Sequence, residues 1–173
     1  RVLAILFSHA GDMDSAWLGL MIAACSAGFL PWNLGKARVF MGDVGSLALG
    51  YLFAALLLHG MVSGAFSLPV GLLVMALFLV DSTLTLLLRV LKGERWYNAH
   101  RQHLYQQLIA LGWTHGRVLL FYQAINLALV VPGIAIGVNF PELAWPAAMV
   151  VALALCAGWY LSNKRFGALA SAG

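Results

Sequence analysis

Long apolar blocks separated by short polar links dominate the pattern of this chain. Five blocks have the length of about 20 residues that an α-helix needs to cross a bilayer. They predict spans over residues 16–32, 44–62, 67–90, 117–138 and 143–161. A shorter apolar stretch at residues 1–8 predicts the end of a truncated further helix. Because a backbone in lipid must satisfy its own hydrogen bonds, the pattern predicts an all-α, polytopic integral membrane protein.

The composition agrees with this pattern. Of the 173 residues, 62% are hydrophobic and only 9% are charged, whereas soluble domains carry about 25% charge. Cys25 and Cys156 both lie inside apolar blocks, which favours packed thiols over a disulfide or a metal pair. We predict a single membrane domain over 1–173. Because the chain begins with Arg1 inside an apolar segment, we expect a C-terminal fragment of a longer protein.

The basic residues predict the orientation in the membrane. Lys and Arg occur in or beside the links 33–43 and 91–116 and after the last span, and they are absent from the links 9–15, 59–66 and 139–142. Since the positive side faces the cytoplasm, 33–43 and 91–116 are predicted as cytoplasmic loops. The net charge of +4 therefore reports topology, and nucleic acid is not an expected partner.

The first candidate site is the segment 33–46, where Asp43 precedes an apolar helix. Gly42, Gly45 and Ser46 expose backbone N–H groups at a helix N-terminus, which favours a phosphate. A carboxylate beside a phosphate suits Mg²⁺. Two alternatives remain open from the residues alone: Asp43 caps the helix, and the small residues Gly42, Ser46 and Gly50 provide a smooth packing face.

The second candidate site is the segment 93–107, which contains Arg95, His100, Arg101, His103 and Tyr105. Arginine and histidine side chains suit phosphate binding. A basic loop lying on anionic lipid explains the same residues equally well. The spacing of His100 and His103 also matches a zinc pair, but no Cys or acid completes such a site.

Asp81 lies within the predicted span 67–90. An acid inside a membrane helix has a functional or a structural partner. We favour a structural role, such as a polar tie to a neighbouring helix, or a supporting role beside the site.

The run Phe40-Met-Gly-Asp-Val-Gly-Ser46, continued by Leu-Ala-Leu-Gly50 and preceded by Asn33, resembles the signature of the polyprenyl-phosphate N-acetylhexosamine-1-phosphate transferases of glycosyltransferase family 4. Phospho-N-acetylmuramoyl-pentapeptide transferase belongs to the same superfamily. The resemblance implies transfer of a sugar-1-phosphate from a UDP-sugar to polyprenyl phosphate, with release of UMP. It implies a Mg²⁺ cofactor (or Mn²⁺) and a site on the cytoplasmic face of the bacterial inner membrane. Expected partners are these two substrates and membrane lipid, and a homodimer is left open.

The resemblance also implies residue roles. Asp43 is expected to be the Mg²⁺-associated catalytic aspartate, with Asn33, Phe40, Gly42 and Ser46 around the nucleotide and diphosphate. His103 is expected to be catalytic or phosphate-binding, with His100 and Arg101 as further phosphate contacts.

The histidine loop departs from the family patterns, because only His103 of the stretch His103-Leu-Tyr-Gln106 matches a family histidine. Its form resembles the subgroup that starts O-antigen and related surface glycans. The peptidoglycan enzyme is the alternative within the family, and a small anion- or lipid-binding transporter is the alternative of another class. The family's Asp-Asp pair is not in this chain, so we expect the 173-residue piece alone to be inactive.

Overall fold

The computed structural model describes residues 2–32, 39, 41–93 and 103–170, and all regular structure within these ranges is helical. Nine α-helices occur in them: α1 Val2–His9, α2 Met13–Phe29, α3 Gly42–Val62, α4 Leu68–Val74, α5 Ala76–Leu91, α6 Leu104–Ala110, α7 His115–Ile125, α8 Val131–Asn139 and α9 Ala144–Ala170. Short 3₁₀ turns at Leu30–Trp32 and Pro141–Leu143 extend α2 and precede α9. The predicted all-α membrane architecture is confirmed.

Four helical segments are long and apolar enough to cross a membrane: Met13–Trp32, Gly42–Val62, His115–Asn139 and Pro141–Lys164. They correspond to four of the five predicted spans. The short helix α1 corresponds to the predicted truncated span, and it pairs with α2 through the turn at Asp12, whose carboxylate accepts the Ser15 N–H at 3.0 Å.

The fifth predicted span, 67–90, is a broken helix. The helices α4 and α5 meet at Met75 with a bend of 76°, so they do not follow one straight path across a bilayer. Pro69 lies in the first turn of α4, where its missing N–H costs nothing. Neither neighbour of Met75 in the sequence is Pro or Gly, so no residue marks the bend. The hydrophobicity of the run 67–90 therefore predicted a single span.

The span from His115 to Asn139 contains an irregular turn. A π-helical segment, Asn126–Val130, separates α7 from α8, and Pro132 follows it at the start of α8. Because proline lacks an N–H, it cannot complete the regular hydrogen-bond ladder of the preceding turn. The π-turn accommodates this interruption, as such turns do in kinked helices.

The helix α9 is the centre of the packing, since it contacts α4, α5, α6 and α8. The main core joins residues of seven helices around Phe7, Val70 and Leu73, which are almost completely buried. A smaller core consists of Leu104, Leu108, Val118 and Trp159. This second core fixes α6 between α5, α7 and α9, although α6 lies in the segment 91–116 that was predicted as a polar loop.

Two pairs of contacts mark the two ends of the molecule. At one end, His59 Nε2 lies 2.9 Å from Asp12 Oδ2, which joins the links 9–15 and 59–66. At the other end, the Gln107 side-chain amide donates to Asn163 Oδ1 at 3.0 Å, which joins the segment 91–116 to the end of the last span. Each pairing joins segments that were predicted on the same side of the membrane, and the assignment of the sides stays a prediction.

Candidate functional site

Asp43 lies in the first turn of α3, and its side chain is exposed. The helix is entered through Gly42, whose positive φ of 65° favours glycine. The N-cap position is occupied by Met41, which makes no side-chain capping bond. The alternative that Asp43 caps the helix is therefore wrong, and within the described residues its carboxylate is available to a ligand.

The small residues Gly42, Ser46 and Gly50 near the start of α3 do not pack against another helix in the described ranges. A Cβ added at Gly42 or Gly50 would meet no atom within 4 Å, and Ser46 is exposed, with its hydroxyl 3.3 Å from the Asp43 carbonyl. Among the described residues, no side chain or backbone of another helix covers the predicted smooth packing face. It leaves the helix start around Asp43 accessible from that side.

A complete metal site is not formed by the described residues, among which no group of three or more His, Cys, Asp or Glu side chains is placed to hold an ion. The predicted role of Asp43 as a Mg²⁺ ligand therefore stays a prediction.

His103 precedes α6 as its N-cap residue. Its backbone N–H donates to Gln106 Oε1 at 3.3 Å, and its ring stacks on Tyr105 with a centroid separation of 6.0 Å. Its Nδ1 lies 3.4 Å from Asp81 Oδ2, and a quarter of the side chain is exposed. The imidazole therefore stacks on Tyr105, takes part in the capping box with Gln106 and lies beside the Asp81 carboxylate, while part of it reaches solvent.

Asp81 connects three helices. Its Oδ1 accepts the Leu104 N–H at 3.1 Å and the Trp159 Nε1–H at 2.9 Å. The predicted polar tie to a neighbouring helix is confirmed, and its partners lie on α6 and α9. Sequence reasoning missed Trp159, although an indole N–H inside an apolar span signals a buried acceptor.

An apolar cavity of about 230 Å³ lies between α5, α7 and α9, with Asp81, Tyr122 and Ser162 among its lining residues. A second pocket, of about 400 Å³, lies between α1 and α2 and contains none of the candidate residues. The first cavity is the one that adjoins the His103–Asp81 contact.

The structure brings some of the predicted site residues together and leaves others apart. His103 meets Asp81, but within the described residues no hydrogen bond or ion pair joins Asp43 to His103. Asn33, Phe40, His100 and Arg101 lie outside the described residues, so their predicted roles stay predictions.

The fold and these side chains define a polytopic helical membrane protein with an exposed carboxylate at one helix start and an oriented histidine at another. Residues 1–61 match the family model described as glycosyl transferase family 4. No solved structure matches the chain significantly.

Two kinds of curated relative are similar to this chain. A probable undecaprenyl-phosphate N-acetylglucosaminyl 1-phosphate transferase of Bacillus subtilis (strain 168) is 27% identical over 136 residues, which are 78% of this chain and 38% of that protein. A phospho-N-acetylmuramoyl-pentapeptide-transferase of Staphylococcus aureus (strain JH9) is 36% identical over 116 residues, which are 65% of this chain and 34% of that protein.

The first 61 residues are thus similar to glycosyl transferase family 4, and both relatives are named as phospho-sugar transferases. The matched part is a little over a third of the length of these relatives. The family resemblance predicted from residues 33–50 is thereby confirmed.

Proposed function

We propose that this chain is part of a membrane enzyme that transfers an N-acetylhexosamine-1-phosphate from a UDP-sugar to undecaprenyl or another polyprenyl phosphate and releases UMP. The observation that carries the proposal is the exposed Asp43 at the start of α3, inside the region that matches the family model. The name of the Bacillus subtilis relative, an undecaprenyl-phosphate N-acetylglucosaminyl 1-phosphate transferase, supports the lipid acceptor and the sugar class.

The chemistry requires two anions to meet, since the polyprenyl phosphate attacks the diphosphate of the UDP-sugar. When bound, Mg²⁺ would screen this repulsion and stabilise charge on the leaving UMP. Asp43 would supply one carboxylate ligand, and the helix start at Gly42 and Ser46 would offer backbone N–H groups to phosphate oxygens. His103, together with His100 and Arg101, would bind phosphate. The attacking phosphate is already ionised, so little general base catalysis is needed.

The cytoplasmic side of the bacterial inner membrane is the proposed location of the site. The Lys- and Arg-rich links lie on that side by the distribution of charge. The described contacts support this sidedness, because Gln107 and Asn163 meet at one end and Asp12 and His59 meet at the other.

The initiation of a surface glycan such as O-antigen is the proposed role, based on the form of the loop around His103. The peptidoglycan enzyme is a second candidate, because the Staphylococcus aureus relative is the more similar of the two over the matched part.

The deciding experiment is a transfer assay with the full-length protein in membranes, undecaprenyl phosphate and Mg²⁺. A panel of UDP-N-acetylhexosamines is compared with UDP-N-acetylmuramoyl-pentapeptide, and UMP release is measured. Release with a simple UDP-N-acetylhexosamine supports the surface-glycan role, and release only with the pentapeptide donor supports the second candidate. No release with any donor would contradict the proposed function.

The same assay on residues 1–173 alone tests whether the site is complete. We expect no UMP release, because one carboxylate rarely holds Mg²⁺ without further ligands. The Bacillus subtilis relative, assayed at its full length under the same conditions, is the positive control. Turnover by the 173-residue piece would show that its own residues complete the site.

A further inference from the structure

The short helix α6 depends on its neighbours for its position. It has seven residues, and an isolated helix of this length is not stable in water. Leu104 and Leu108 of α6 are buried in one core cluster with Val118 of α7 and Trp159 of α9. Apolar burial is non-directional, so it holds α6 against these helices without fixing the register of α6 along them. The register must come from polar contacts.

Two polar contacts, one turn apart on α6, provide this register. At the start of α6, Oδ1 of Asp81 in α5 accepts the Leu104 N–H at 3.1 Å and also the Trp159 indole N–H at 2.9 Å. One turn later, the Gln107 side-chain amide donates to Asn163 Oδ1 of α9 at 3.0 Å. The first contact joins α6 to α5 and α9 through a single oxygen atom, and the second joins α6 to α9 directly.

The contact at Asp81 is the harder of the two to replace. The Asp81 side chain is only 13% exposed, and Leu104 and Trp159 are buried as well. A buried N–H that loses its acceptor costs more than the bond contributed, because the group keeps its full penalty of desolvation. A side chain of similar size without an acceptor would therefore leave two buried donors unpaired. The Leu104 N–H would regain a partner in water only if α6 moved away.

The position of α6 also decides the position of His103, which precedes the helix as its N-cap residue. We propose that Asp81 is a positioning residue, which docks α6 onto α5 and α9 and thereby sets the place of His103 relative to the membrane helices. The part of this inference that concerns transfer rests on the proposed function, whereas the docking of α6 is a property of the protein alone.

A pair of cysteines measures the docking directly. Gln107→Cys and Asn163→Cys are introduced into the full-length protein in nanodiscs, after all other cysteines, Cys25 and Cys156 among them, have been replaced by alanine. Because the two native side chains meet in the docked arrangement, a short bifunctional thiosulfonate reagent should join the two cysteines. The initial rate of cross-linking reports how often α6 is docked.

Two substitutions of Asp81 are compared in this background. Asp81→Leu removes the acceptor at a similar size, whereas Asp81→Asn keeps an oxygen for both donors. We expect the cross-linking rate to fall by about tenfold in Asp81→Leu, the effect of losing a bond to a charged group, and to fall less in Asp81→Asn. The exposed Thr83, two residues further along α5, provides the matched control, Thr83→Val, which is expected to leave the rate unchanged.

The cross-linking rates can contradict the inference in three ways. Equal rates with Asp81 and with Leu at this position would show that the carboxylate does not dock α6. A larger fall in Asp81→Asn than in Asp81→Leu would show that the acceptor is not what matters. Absence of cross-linking in the protein that retains Asp81 would overturn the docked arrangement itself, and this result does not depend on whether any Asp81 variant folds.

Transfer activity is measured on the same samples before and after cross-linking. We expect Asp81→Leu to lower kcat by up to about 100-fold, because a misplacement of about 1 Å that originates far from the chemistry has effects of this size. We expect the cross-link to restore most of the loss, since it holds α6 in place without the carboxylate. Activity of Thr83→Val should equal that of the parent protein.

The rescue separates docking from other roles of Asp81. No gain of activity on cross-linking Asp81→Leu would mean that the carboxylate acts in another way, for example through its contact of 3.4 Å with His103 Nδ1. Loss of activity on cross-linking the protein that retains Asp81 would mean that docked α6 is not the working arrangement. Either result would overturn the positioning role. If the wild type turns over no UDP-sugar, the proposed function fails, while the cross-linking rates still test the docking of α6.

Discussion

At the scale of single residues, the acids of this chain differ in what surrounds them. Asp43 is exposed at the start of α3, Asp81 is enclosed by donors from α6 and α9, and Asp12 joins a helix cap to a histidine. A carboxylate that is already bonded serves the fold, whereas one that is exposed beside a helix start remains available to a ligand. This contrast is the reason for placing the proposed ligand at Asp43.

The substitution Asp43→Asn tests that assignment in the full-length protein. We expect transfer to fall by at least about 100-fold, because removal of one group that stabilises developing charge has effects of this size. The side chain is exposed, so the melting temperature should not change. UMP release is the measurement, and Asp14→Asn is the control. Near-normal transfer by Asp43→Asn would mean that the carboxylate has no part in the reaction.

The pair Asp12–His59 predicts a dependence of stability on pH. The backbone N–H and the side chain of Ser15, together with His59, lower the pKa of Asp12 below its usual value of 3.8. A lowered pKa means that the folded state prefers the ionised form. The stabilisation is therefore present above about pH 3.8 and is lost as the pH falls through the lowered pKa of the folded protein.

Asp12→Asn keeps an oxygen for the Ser15 N–H and removes the charge. We expect a lower melting temperature than wild type at pH 6, and a difference that disappears below pH 3.8. The measurement is thermal unfolding in detergent over this pH range, with Asp14→Asn as the matched control in the same helical turn. A difference that stays constant with pH would show that the charge of Asp12 does not stabilise the fold.

At the scale of the helices, close contacts decide which glycines are needed. The ring of Phe66 lies over Gly60 in α3, and a Cβ there would overlap the ring and also approach Phe7. In contrast, Gly28 in α2 has open space around its Cβ position. These two helical glycines therefore form a matched pair.

Gly60→Ala should lower the free energy of unfolding by about 1–3 kcal/mol, the usual cost of adding a carbon to a packed core. Gly28→Ala should be neutral or raise it by up to about 1 kcal/mol, because alanine favours the helix. Both values can be measured by denaturant unfolding in mixed micelles. Equal stability of the two variants would contradict the contact between Phe66 and Gly60.

The helices also show where apolar length alone misleads. The run 67–90 has the length of one span, yet α4 and α5 are bent by 76° at Met75. The spacing of Asp81, Thr85 and Arg89 was a signal, since residues four apart lie on one face of a helix. Thr85 and Arg89 are almost completely buried, so this face of α5 packs against other helices and not against lipid.

At the scale of the whole molecule, the distribution of charge predicts the orientation of every link. Cysteines introduced at Ser63 and His115, both exposed, test it after Cys25 and Cys156 have been replaced by alanine. We expect a membrane-impermeant maleimide to label Ser63→Cys in right-side-out vesicles and His115→Cys only after permeabilisation. The cysteine-free protein is the control. The reverse labelling pattern would invert the proposed orientation and place Asp43 on the wrong side for UDP-sugars.

The sequence by itself determined four of the five helical spans, the asymmetry of charge and the family resemblance. These features depend on local composition or on short motifs, since apolar length specifies a membrane helix and the run around Asp43 is contiguous. Even α6 had a local signal, because Leu104 and Leu108 are spaced like one face of a helix.

Only the tertiary structure decided which partners the polar residues have. The contacts of Asp81 with Leu104 and Trp159 join residues 23 and 78 positions apart, and the pair of Asp12 with His59 spans 47. No periodicity in the sequence reports such distances, because they depend on how α5, α6 and α9 pack and on where α4 and α5 bend. Packing thus turned Asp81 from an isolated acid in an apolar run into the residue that joins α5 to α6 and α9.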